Sequence, residues 1–262
     1  MKRFYVLLAV LALVAFMPAG RAAADNGSGP SAVPFEFVGT AAQCGGTAGS
    51  RIVTAAWLRG MGLPDNGGPN ATTPGDPHTG LLLSKNGPTA DCSSAGARIT
   101  GVKGMTVDAA FQLGFEYRNG GHCGAGAPRF NVVAKLGDAA ETSHFVGGCA
   151  NDTAPTGAGQ DPAQWTRVMF QVTNPAESFP VIPVGSKIVS ISVLYDEGTD
   201  TANNDTQGVG LAVIDNIYIN GKIITSGPTG RDNNKNDKDK KDKGDNDNDD
   251  DNDDDDDQGG DD

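Results

Sequence analysis

The chain has 262 residues, a formal net charge of −13, 37 glycines, four tyrosines and two tryptophans. So acidic a composition supplies too few Lys and Arg to neutralise a phosphate backbone, which excludes nucleic acid as a partner. The longest apolar run, Tyr5 to Phe16, is shorter than the roughly 20 residues a membrane-spanning helix needs.

Lys2 and Arg3 precede that run, and Pro18, Gly20 and Arg21-Ala22-Ala23-Ala24 follow it. A basic start, an apolar middle and small residues at a cleavage point are the parts of a secretory signal. Residues 1–24 are therefore read as a signal peptide and Asp25 as the mature N-terminus. The mature chain is expected to be secreted, extracellular or periplasmic, with no membrane span. Cys44, Cys92, Cys123 and Cys149 form an even set without a CxxC spacing, which in an exported chain implies two disulfides. Three connectivities are open. Cys44–Cys92 with Cys123–Cys149 is favoured, because each pair then flanks a contiguous segment.

From 25 to 229 the apolar residues alternate with period two, the strand period, and no stretch sustains the helical one. Short strands are expected at Phe35–Val38, Ile52–Leu58, Leu81–Ser84 and Ala97–Thr100. In Val107–Arg118, Phe111, Leu113, Phe115 and Tyr117 share a face opposite Gln112, Gly114, Glu116 and Arg118. Arg129–Leu136 turns Phe130, Val132, Ala134 and Leu136 one way. Trp165–Val172 does the same with Val168, Phe170 and Val172, and Lys187–Asp196 with Val189, Ile191, Val193 and Tyr195. Gly210–Asn220 is the last long strand, and Asn220-Gly221 turns it into Lys222–Ile224, a two-residue hairpin signal. Loops rich in Gly, Asn, Asp and Pro fill 61–79, 150–163 and 197–208. Strands with one apolar face must bury it against a second sheet, so the expected fold class is all-β: a two-sheet antiparallel β-sandwich over 25–229. Residues 230–262 follow as a tail. From Arg231 onward it holds 16 Asp against Arg231 and five Lys, and it is expected to be disordered.

One residue breaks the pattern. Strict alternation in Gly210–Asn220 puts Asp215 on the face of Leu211, Val213, Ile217 and Ile219. A carboxylate there needs a partner or a cation, unless a bulge rotates it outward. The segments Pro34-Phe35-Glu36-Phe37, Trp165-Thr166-Arg167-Val168 and Val213-Ile214-Asp215-Asn216-Ile217 resemble the first, middle and last strands of jelly-roll, galactose-binding-like carbohydrate-binding modules of secreted proteins. That resemblance implies a jelly-roll topology, a carbohydrate ligand, and a structural calcium held by Glu36 and Asp215. The chain departs from the family at Phe37, where Gly or Asn is usual, and in its four cysteines.

Sugars are held by aromatic rings with polar groups at the rim. Tyr218 is the leading candidate, since its face carries Asn216 and Asn220. Trp57 is a second, although its apolar surroundings suit a core residue. There is no GxSxG, HExxH or P-loop, and no catalytic residue is assigned. Glu116 and the pair Asp196-Glu197 are the strand-borne carboxylates a glycosidase would call on, but Glu116 beside Arg118 reads as part of a solvated face. The expected function is non-catalytic binding of an extracellular polysaccharide or glycan. The alternative is a structural or adhesive surface protein whose acidic tail makes ionic or calcium-mediated contacts.

Overall fold

The computed structural model describes residues 29–65 and 78–228; the signal peptide read at 1–24 and the tail read at 230–262 lie outside them. The strands in chain order are β1 (Ser31–Val38), β2 (Val53–Arg59), β3 (Thr79–Lys85), β4 (Ser93–Thr100), β5 (Gln112–Arg118), β6 (Arg129–Lys135), β7 (Thr142–Gly147), β8 (Thr156–Gly157), β9 (Trp165–Gln171), β10 (Ser178–Phe179), β11 (Lys187–Tyr195), β12 (Leu211–Ile219) and β13 (Lys222–Ile224). They pair antiparallel into a six-stranded sheet, β1-β4-β11-β6-β7-β10, and a seven-stranded sheet, β2-β3-β12-β5-β9-β8 with β13 beside β12. The result is an all-β, jelly-roll-like two-sheet sandwich. No helix among the described residues is long and apolar enough to cross a membrane.

The alternating apolar positions meet between the sheets. Phe115 of β5 packs 5.8 Å from Phe130 of β6 and 6.1 Å from Phe170 of β9, ring centre to ring centre, a spacing typical of tilted aromatic pairs. Leu81, Leu83, Leu113, Val168, Ile191, Val193 and Ile214 fill the space around them. The Asn220-Gly221 turn closes the β12–β13 hairpin with φ of 42° and 88°, the double positive φ that a type I′ turn requires. Both favoured disulfides form, with Cα–Cα separations of 5.9 Å for Cys44–Cys92 and 5.3 Å for Cys123–Cys149.

Two bulges change which residues face inward. In β11 the pairing with β6 slips between Ile188 and Ser190. Ile188 is buried and Val189 only half-buried, so the inward position expected of Val189 belongs to its neighbour. In β12 the pairing with β5 slips between Asp215 and Tyr218, where Asn216 takes φ 46°. Ala212, Ile214, Ile217 and Ile219 therefore face the main core. Val213 and Leu211 belong instead to a second cluster with Leu63, Leu82, Ala158 and Trp165. Leu136, expected inward, is 46% exposed just beyond the end of β6. The alternation does not reveal β7, because His144 takes a buried position there and Phe145 an exposed one.

Buried charge holds the ends of β3 and β11. The Lys85 side chain is fully buried, and its Nζ donates to the carbonyls of Asp91 and Asp196, each at 2.7 Å, and of Thr89 at 3.4 Å. Burial pulls its pKa below the usual lysine value, against the opposing pull of Asp196, Asp91 and Asp200. Arg129 makes a forked pair with Asp196 at 2.6 and 2.7 Å, the geometry that suits guanidinium to carboxylate.

Candidate binding face on the seven-stranded sheet

The β12 bulge turns Asp215 to the outer face of the seven-stranded sheet. There it stands directly across from Glu116 on β5, which stands across from Arg167 on β9. A row of three charged residues thus crosses three adjacent strands. Glu116 is only 1% exposed, a correction to its reading as a solvated residue. One of its oxygens accepts from Arg167 Nε at 2.8 Å and from Nη2, and the other from Asn216 Nδ2. The left-handed conformation of Asn216 brings its amide within reach of that oxygen, and Gln160 Oε1 also accepts from Nδ2 at 3.1 Å.

Asp215 is outward but not solvated. Its oxygens accept from the N–H groups of Leu63 at 2.9 Å and Asn216 at 2.6 Å, and it is 4% exposed. The 61–65 segment that carries Leu63 is pinned by Asp65, which accepts from Arg118 Nη2 at 2.6 Å and from Trp165 Nε1 at 2.8 Å. Burial raises the Asp215 pKa to about 6; the bonds from Leu63 and Asn216 lower it, the Glu116 charge raises it, and His78 lowers it. A carboxyl whose folded pKa lies above its unfolded value of about 3.9 stabilises the fold fully below that value and loses the contribution as pH rises through the folded one. Between about pH 4 and about pH 7, wild type is expected to lose about 2 kcal/mol of stability relative to Asp215→Asn. Chemical denaturation of both proteins across that range checks this, and parallel pH profiles would refute it.

Beside the charged row lies a more apolar one. Tyr218 pairs with Gly114 on one side and Ile223 on the other, and Gly114 pairs with Met169. Gly114 has no side chain to compete with the Met169 thioether, whose sulfur takes the place a Cβ would need. Tyr218 and Met169 are half-buried and Ile223 is 60% exposed. Gln112, Gln171 and Asn220 lie next along the same strands, all half-buried.

The sequence matches no protein-family model, and no curated protein or solved structure matches it significantly.

The sequence-derived candidates fall in different places. Tyr218, Asn216 and Asn220 lie together at this face. Trp57 does not join them: it is 2% exposed in the main core, and its indole N–H donates to Ala32 O at 2.9 Å. Glu36 sits on β1 of the other sheet, its carboxylate accepting from the Ala55 N–H at 3.0 Å. Glu36 and Asp215, the expected calcium ligands, thus serve separate backbone donors. Among the described residues no three His, Cys, Asp or Glu are grouped as metal ligands. Arg167, Gln160, Met169 and Ile223 are site residues that the sequence does not single out. Arg167 and Glu116 are opposite charges at outward positions, but only the β5–β9 register makes them neighbours.

A carboxylate pair on adjacent strands invites an acid–base reading. Yet Glu116 has both oxygens bonded to protein donors, and Asp215 is held by Leu63. Both carboxyls are almost fully buried. The pair ties Arg167, Asn216 and the 61–65 segment to the face.

Proposed function

We propose that the domain is a secreted, non-catalytic module that binds a neutral polysaccharide on the outer face of β9, β5 and β12. The observation that carries this reading is the apolar row of Tyr218, Ile223 and Met169 alongside the amides of Asn216, Gln160, Gln112, Gln171 and Asn220. A pyranose presents a C–H face and a rim of hydroxyls that both donate and accept, and side-chain amides likewise do both. The charge balance favours a neutral ligand. The guanidinium of Arg167 is committed to Glu116, and the chain as a whole is strongly acidic. Two disulfides in the domain suit an oxidising, extracellular setting.

Depletion of the full chain from solution by insoluble neutral polysaccharides tests the proposal. Retention on one polymer class is expected, and Tyr218→Ala is expected to weaken it about tenfold, the loss of one ring contact. No retention on any polymer would overturn it. Retention that persists in Tyr218→Ala but vanishes with moderate salt, or on deletion of 230–262, would move the function to the acidic tail as an ionic adhesive.

A further inference from the structure

The outer face of the six-stranded sheet, on the far side of the sandwich from the proposed site, has a charge pattern opposite to that of the whole chain. Its outward strand residues include Arg98, Arg129, Lys135 and Lys187 but no Asp or Glu, in a chain with a net charge of −13. Glu36, on the β1 border, turns instead toward β2. Arg129 is committed to Asp196, and Arg98 lies over Phe35, 5.0 Å from the ring centre. Lys135 and Lys187 are placed differently. The β6–β11 register sets them directly opposite each other, and like charges so paired are destabilising. Neither makes an ion pair among the described residues, although Lys187 Nζ donates to Thr106 Oγ1. Asp138 and Glu141, in the turn between β6 and β7, are exposed and pair with neither lysine.

Two residues back along β6, Val133 lies between Ser143 of β7 and Ser190 of β11. Two further back, Asn131 stands across from Phe145, which stands across from Phe179 of β10. Both rings are exposed. The guanidinium of Arg129, fixed by its fork to Asp196, lies 4.4 Å from the centre of the Phe145 ring and steadies it. Four residues of strand put roughly 13 Å between the row of rings and the lysines. A strip thus runs across the sheet from two aromatic rings, past an amide and two hydroxyls, to two facing cations.

We infer that this strip is a second binding face, which takes an anionic polysaccharide. Sugar rings lie on Phe145 and Phe179, and acidic groups of the same polymer lie between Lys135 and Lys187. An anion there turns one like-charge repulsion into two attractions. Exposed rings beside hydroxyls and an amide suit the C–H face and hydroxyl rim of a sugar, which an acidic peptide lacks. The acidity of the whole chain does not oppose this, because exposed charges more than about 8 Å apart are largely screened at physiological salt. With the neutral-polymer face on the opposite side of the sandwich, one domain holds two different polymers at once and ties them together.

Electrophoresis of the full chain through native gels containing polygalacturonate, dextran sulfate or dextran tests the inference. Retardation by an anionic polymer beyond that in dextran is expected, and the arm that shows it tells carboxylate from sulfate. The double variant Lys135→Gln/Lys187→Gln is expected to lose about tenfold in affinity, the loss of two exposed ion pairs. Phe179→Ala is expected to weaken retardation as well, with no fall in the denaturation midpoint of either variant. Tyr218→Ala is expected to leave it unchanged, so the two faces stand or fall separately. No retardation by either anionic polymer would overturn the inference, as would full retardation of the lysine double variant. Equal competition by poly-glutamate would also overturn it, because the face would then read charge without reading sugar.

Discussion

Replacing Lys85 with methionine is expected to lower the unfolding free energy by about 3 kcal/mol, the loss of two short charge-assisted hydrogen bonds. Methionine keeps much of the length of the lysine stem but donates nothing. The carbonyls of Asp91 and Asp196 then lose a short bond from a charged donor and that of Thr89 a long one, although Asp91 O keeps its bond from the Ser93 N–H; a hydrogen bond to a charged group is worth about 1.5–3 kcal/mol. One effect runs the other way. Burying the ammonium is itself unfavourable, as its lowered pKa shows, and methionine removes that penalty. The two short bonds outweigh it, because they join two separate chain segments to the end of β3. A denaturant midpoint that falls with an unchanged slope is the expected readout. A loss under about 1 kcal/mol would mean that water replaces the lysine freely.

Removing the Cys44–Cys92 bridge by paired serine substitution is expected to cost a similar amount. The two cysteines are 48 residues apart, and closing a loop of that length withdraws about 4 kcal/mol of entropy from the unfolded chain. Little packing is lost with it, since both cysteines are only half-buried, so chain entropy dominates the expected effect. Gly39 shows how closely the backbone passes: a Cβ there would collide with both sulfurs. Gly39→Ala in the oxidised protein is therefore expected to strain the same corner, and to be better tolerated once the cysteines are replaced. Equilibrium unfolding of the three variants checks both statements. Equal stability of the serine variant and wild type would show that the unfolded chain gains no freedom from losing the bridge.

Alternation alone makes the sandwich legible wherever a strand is regular. Leu113 and Phe115 face the core on either side of Gly114, and Val168 and Phe170 do so on either side of Met169, as the period-two pattern requires. It fails at Val189 and at Val213, where a bulge inserts one residue and exchanges the two faces of the strand beyond it. In β11 nothing announces such an insertion; in β12 the misplaced Asp215 hints at one, but where the register slips is a property of the pair. The candidate face suffers for the same reason. Tyr218, Asn216 and Asn220 can be grouped within one strand, whereas Arg167 and Ile223 become their neighbours only through the β5–β9 and β12–β13 registers. Trp57 and Glu116 are hard to place from sequence because exposure depends on what lies across from a residue. Trp57 meets the backbone of β1, and Glu116 lies under Asn216 and Arg167.

The borders of the two sheets have a bearing on how the protein fares in storage and at high concentration. A long, unpaired border strand is a template on which a second chain can lie down and start a fibril. Here one border of each sheet is a strand of two residues, β8 or β10, too short to seed a ladder. At the opposite borders, β1 carries Pro34, which has no N–H to offer. Between β1 and β2, the Glu36 carboxylate bonds the Ala55 N–H and the Trp57 indole bonds the Ala32 carbonyl, so side chains occupy backbone groups that an incoming strand would need. Among the described residues these borders offer fibril growth no ready starting line, and it must wait for one of them to come undone.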